Sequence, residues 1–230
     1  MKELARTRRG FVALAASGLV AAPKALLAAD AKGKEDEEDV TPTEDLMREH
    51  GLLNRVLLVY EEGMRRLDRG AEVPAGTLAS AAGIIKRFVE DYHEKLEEEQ
   101  LFPRFQKAGT LVPLVETLKT QHAAGRKVTL EILRLTKPGA LANAAAKKEL
   151  SANHASFVRM YRPHEAREDT VLFPAFREIV KGKELDDLGE KFEDREHQLF
   201  GDKGFEKMVD EVDQIERKLG IEDLKQFTPK

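Results

Sequence analysis

From residue 44 onward the apolar residues of this 230-residue chain recur every three or four positions, the period of a helix that buries one face. The pattern and its punctuation predict four long helices. The first covers residues 43–69, with Thr43 and its acidic neighbours at the start and Gly70 near the end, and the second covers 74–107 and is closed by Gly109. Pro113 opens a third, which Lys137-Pro138-Gly139 stops near Thr136. The fourth spans 141–180 and ends before Gly182. Kinks are expected in it at Pro163 and Pro174, because proline lacks a backbone donor and crowds the preceding turn. Short loops between long helices favour antiparallel neighbours, so the fold class is all-α: an up-down-up-down four-helix bundle over residues 44–181. Residues 184–200 and 204–219 predict an appended C-terminal helical hairpin, within an extension of residues 182–230, that covers one side of the bundle.

Within these helices the apolar rows are interrupted by chemistry. Ile85, Val89, His93, Glu97 and Leu101 form one row at spacing four, and Met160, His164, Glu168 and Leu172 form another. Both interruptions belong to a repeated segment. The motif HExxE[ED]xxLFPxF begins at His93 and returns, 71 positions later, at His164. An imidazole and an ionised carboxylate on an apolar stripe are costly to bury unless they are paired or bind a cation. A single HxxxE on a wet helix face is an ordinary polar pair; two copies, each in an apolar row and each followed by Leu-Phe-Pro, point to metal ligation. His50 follows Leu46 by four and His122 follows Leu118 by four, and these two lie 72 positions apart. The bundle therefore reads as two related halves, each donating one histidine from its first helix and a histidine plus a glutamate from its second. Four imidazoles and two carboxylates suit a dinuclear centre of iron, manganese or zinc in which the carboxylates bridge.

Composition narrows this further. Cysteine is absent, which excludes disulfides, thiolate zinc sites, iron–sulfur clusters and c-type haem attachment. Residues 1–31 have the layout of a signal peptide, with a basic start, a short apolar run from Phe11 to Ala22 and an Ala29-Asp30-Ala31 cleavage signal. Thr7-Arg8-Arg9-Gly10-Phe11-Val12 resembles the twin-arginine export signal, which implies the export machinery of that name as a partner and a periplasmic or otherwise exported location. The apolar run falls short of the roughly 20 residues of a membrane span, so the mature chain is expected to carry none. Residues 32–43 read as a charged linker. The leader holds Lys2, Arg6, Arg8, Arg9 and Lys24 against Glu3, so its removal makes a chain of net charge −4 more acidic still. An acidic chain with no basic stripe is not expected to bind nucleic acid.

With these residues in view, the chain resembles the hemerythrin-like family, also called the HHE cation-binding domain, over about residues 44–181. The resemblance implies a centre of two iron ions, with Glu97 and Glu168 as bridges and His50, His93, His122 and His164 as terminal ligands. It also implies binding of dioxygen or a related small molecule such as nitric oxide or a peroxide, for sensing, protection or iron handling. The alternative is a di-iron oxidase, peroxidase or iron-repair enzyme, although no general base, nucleophile or substrate cleft is visible in the sequence. A ferritin-like centre fits less well, since Glu-x-x-His occurs at Glu90–His93 without a second copy. Two departures from the oxygen carriers stand out. Arg126 occupies the place of a second third-helix histidine, which predicts a more open site, and Asp169 competes with Glu168 for the fourth-helix carboxylate; spacing four favours Glu168. His154 lies about 15 Å along its helix from His164 and is expected at the surface or behind the ligands. His197 is expected in solvent, or folded over the site as an extra ligand. Tyr92 and Tyr161 either pack in the core or donate to the site, and Glu98 and Glu99 read as the solvated edge of the glutamate run.

Overall fold

The structure is a computed structural model that describes residues 40–229; the leader and residues 32–39 of the linker lie outside the described residues. The described residues are helical, with no strand among them. Helix α1 spans Pro42–Asp68. Its start lies one residue before the expected position because Thr41 and Glu44 form a capping box: Glu44 N–H donates to Thr41 Oγ1 and Thr41 N–H to Glu44 Oε2. The end of the presumed linker is thus helix, and Thr43 and Asp45 are buried in it.

Helix α2 covers residues 75–108 and helix α4 residues 144–179, each uninterrupted but not uniform. In α2, π-helical stretches at Ile85–His93 and Glu97–Leu101 alternate with α-helical turns; in α4 one such stretch occupies Glu168–Leu172. The Glu97 and Glu168 stretches end on Phe-Pro, where Phe102 N–H reaches back five residues to the Glu97 carbonyl and Phe173 N–H to that of Glu168. A proline in the next position has no N–H to continue the ordinary ladder, and a wider turn absorbs the mismatch. The backbone stays helical through Pro163 and Pro174; what marks Pro174 is this widened turn before it, matched before Pro103. Helix α3 runs Val112–Leu135, and Asn143 caps α4 by accepting from Ala146 N–H at 2.8 Å.

Helix α1 packs against α2 and α4, and α3 packs against the same two, so the four helices enclose one core. The repeated Leu-Phe-Pro-x-Phe segments line it. Leu101, Phe102 and Phe105, with their counterparts Leu172, Phe173 and Phe176, are all buried, and the Phe105 and Phe176 rings meet with centroids 5.9 Å apart. The C-terminal hairpin consists of α5, Lys183–Phe200, and α6, Gly204–Leu219. It packs on α1 and on the first part of α2. Arg55 on α1 grips Glu216 at 2.6 and 2.9 Å and also Asp213, while Phe200 and Phe205 pack against Phe88. No helix among the described residues is long and apolar enough to cross a membrane.

Candidate metal centre

All six residues read from the repeat converge in the middle of the bundle, and all are buried. They meet as two pairs of imidazoles with two carboxylates between. His50 Nε2 lies 3.1 Å from His93 Nε2, and His122 Nε2 lies 3.2 Å from His164 Nε2. Glu97 reaches one member of each pair, with Oε1 3.7 Å from His93 Nε2 and Oε2 3.4 Å from His122 Nε2. Glu168 does the same through Oε2, which lies 3.4 Å from His50 Nε2 and 3.1 Å from His164 Nε2. Helical spacing four, from His93 to Glu97 and from His164 to Glu168, puts each carboxylate one turn from its own histidine and on the same face.

Every imidazole is held from behind by its other nitrogen. His50 Nδ1 lies 2.8 Å from Asp169 Oδ1, His93 Nδ1 2.8 Å from Glu49 Oε2, His122 Nδ1 3.1 Å from Glu98 Oε1, and His164 Nδ1 2.9 Å from Gln121 Oε1. With an acceptor at each Nδ1, the proton belongs there and the Nε2 lone pair points inward, the tautomer a metal requires. Phe173 stacks on His50 and Phe102 on His122, so the phenylalanine of each repeated segment clamps the first-helix imidazole of the other half.

The arrangement is electrostatically unfinished without a cation. Paired Nε2 atoms about 3 Å apart would otherwise face each other lone pair to lone pair. Both oxygens of Glu97 and both of Glu168 are buried with no hydrogen-bond partner from the protein. Burial, and then the charge of Glu168, push the Glu97 carboxyl far above the ordinary range; burial opposes ionisation of Glu168 too, but His164 and His50 overcome it and hold it well below. Burial lowers His122 to about 4, which keeps its imidazole neutral. Imidazole nitrogens plus two buried carboxylates are the donor set of a hard or borderline cation, and the residues present fit a pair of such ions.

Several neighbours stand elsewhere than expected. Asp169 lies outside the cluster, as the acceptor for His50. Glu98 is not a solvated edge: it is half-buried between His122 and Arg126. Arg126, at the place of a second third-helix histidine, sets its guanidinium between Glu94 and Glu98 at 2.7 Å each. Tyr161 donates to Glu94 Oε1 at 2.6 Å. It reaches Glu94 because position 125 is glycine; a Cβ there would lie 2.1 Å from the Tyr161 hydroxyl oxygen. Tyr92 instead packs in the core against Phe88 and Phe200. His154 is fully buried rather than at the surface, stacked on Tyr60 with centroids 4.3 Å apart and away from the cluster, because its helix turns that face into the core. His197 is exposed and pairs with Asp202 at 3.1 Å. Sequence reasoning missed Glu49, Glu98, Gln121 and Asp169 as Nδ1 acceptors. A signal existed: each adjoins a predicted ligand, before the first-helix histidine or after the glutamate, in both halves.

Comparison with known proteins agrees with this geometry. Residues 41–176 match the family model described as the hemerythrin HHE cation binding domain. Proteins of Mycobacterium bovis and of two Mycobacterium tuberculosis strains, each described as uncharacterized, are 49% identical over 195 residues, which cover 85% of this chain and 76% of theirs. No solved structure matches the chain. With the match extending across all four bundle helices and every residue of the buried cluster, the chain belongs to the hemerythrin HHE cation-binding family.

Proposed function

We propose that this chain is a non-haem di-iron carboxylate protein, an up-down-up-down bundle in which His50 and His93 hold one ion, His122 and His164 the other, and Glu97 and Glu168 bridge. The observation that carries the reading is the pairing of the histidines around two buried carboxylates that have no other partner. Bound iron would supply electron exchange and an affinity for dioxygen, nitric oxide or peroxide. The protein's own part is to fix the donor tautomers through Nδ1 and to keep bulk water out with Phe102 and Phe173. Leu53, Phe88 and Val89 line a tight crevice beside His50 and His93, and Arg126 pairs with Glu94 beside the other two histidines. The role this supports is binding, for sensing, protection or iron handling. The leader fits export by the twin-arginine route, which carries folded, metal-loaded proteins, to a periplasmic location.

Metal analysis and the visible spectrum of the purified protein, reduced and then exposed to oxygen and to nitric oxide, test the proposal. Two irons per chain and a reversible spectral change support a binding protein. Rapid oxidation with peroxide consumption points instead to a di-iron oxidase or peroxidase. One zinc, or no metal after growth in iron-replete medium, overturns the di-iron centre.

A further inference from the structure

The two halves of the centre follow one scheme, position by position. The residue before the first-helix histidine, Glu49 or Gln121, holds the second-helix histidine of its own half through Nδ1. The residue after the glutamate, Glu98 or Asp169, holds the first-helix histidine of the other half. The residue after the second-helix histidine, Glu94 or Glu165, receives a donor from the residue four past the first-helix histidine: Arg126 in one half, Asn54 in the other. This scheme is broken in charge at two places. Gln121 stands opposite Glu49, and Arg126 stands opposite Asn54.

Both breaks fall on the same ion position. Gln121 backs His164 with a neutral amide where Glu49 backs His93 with a carboxylate. Arg126 shares Glu98, the carboxylate behind His122, at 2.7 Å, whereas the counterpart Asn54 brings no charge to the other side. A carboxylate on an imidazole Nδ1–H draws the proton outward and makes the inward nitrogen a stronger donor, and losing such a partner typically weakens metal binding about 10- to 100-fold. A guanidinium beside the carboxylate cancels part of that pull, and its own charge opposes a nearby cation.

We infer that the centre is polarised: the His50/His93 position binds a divalent cation more tightly and fills first, and Gln121 and Arg126 are the positioning residues that set the difference. This rests on the two-ion reading above.

The test is titration of the metal-free full chain with cobalt(II) alone, followed by visible absorption and calorimetry. Two resolved steps at least tenfold apart are expected. Glu49→Gln should weaken the first step about 10- to 100-fold and leave the second, while Gln121→Glu should tighten the second and leave the first. Arg126→Lys should keep the gap and Arg126→Met should narrow it, which separates charge from shape. Two cobalt ions entering in a single step of equal affinity, or both steps moving together in Glu49→Gln and Gln121→Glu, would overturn the polarisation while leaving a two-ion centre standing. Uptake of fewer than two ions would overturn the two-ion reading, and this inference with it.

Discussion

His122 and His154 are both fully buried, on adjacent helices, yet they belong to two layers of the bundle that their surroundings treat in opposite ways. In the layer of the candidate centre every imidazole has an acceptor behind it and a carboxylate in front. Roughly 15 Å along the helices from His50 and His164 lie Tyr60 on α1 and His154 on α4, with Glu90 of α2, less than a turn from His93, on the side toward them. There both nitrogens of His154, the hydroxyl of Tyr60 and both oxygens of Glu90 have no hydrogen-bond partner from the protein, although Lys86 Nζ stands 3.6 Å from Glu90. Burial alone drives His154 down to about 3, while burial and then the charge of Glu90 push Tyr60 above its ordinary range. The contrast teaches that a buried histidine on a bundle helix is not by itself a ligand. What marks a ligand is the outer acceptor that fixes its tautomer and aims the other nitrogen.

The contrast can be broken most directly by removing one of the two central carboxylates. Glu168→Ala should reduce the metal content of the purified chain to near zero, whereas His154→Phe, which keeps a ring against Tyr60, should leave it unchanged; equal metal loss in both would erase the distinction between the layers. Next in size is removal of the metal itself. Binding to the folded state alone stabilises by about 4 kcal/mol when free metal is 1,000 times the dissociation constant, so urea unfolding of the chelated chain should show a loss of that order.

Acid sharpens the contrast from the other side. The His154 folded value of about 3 lies below the ordinary 6.5, so the unfolded chain binds the extra proton between them. The contribution to stability is therefore full above pH 6.5 and lost as pH falls toward 3, by about 1.4 kcal/mol per pH unit. Unfolding curves of the metal-free protein at pH 7 and pH 5 should show wild type losing about 2 kcal/mol more than His154→Phe. Smallest is Tyr60→Phe, which removes an unpartnered hydroxyl and should stabilise by about 1 kcal/mol in thermal unfolding. A loss of stability there would mean that the hydroxyl has a partner.

Much of this was legible in the sequence because helical spacing and apolar rows are local. His93 with Glu97, and His164 with Glu168, could be placed on inward faces before any packing was known, and the 71- and 72-residue periods tied His122 and His50 to them. Spacing four put Glu168 on the His164 face, and the structure has it in the buried cluster with Asp169 against His50 Nδ1. The burial of His154 was not legible, since it depends on which flank of α4 meets Tyr60. Nor was the pairing of Arg126 with Glu94 and Glu98, which depends on how α3 sits against α2. The widened turns at Glu97 and Glu168 follow from Phe-Pro, but prolines alone suggested kinks.

The equivalence of the halves has a consequence for how such a site can change over generations. Each pair of imidazoles comes from a single half, with one buried carboxylate from each, so two copies of a half-length chain related by a two-fold axis would build the same cluster. In a symmetric dimer of that kind every residue appears twice in the same surroundings, and no mutation can alter one side alone. Joining the halves in one reading frame removes that constraint. Glu49 and Gln121 can then differ, as can Asn54 and Arg126, and inheritance can act on the two histidine pairs separately.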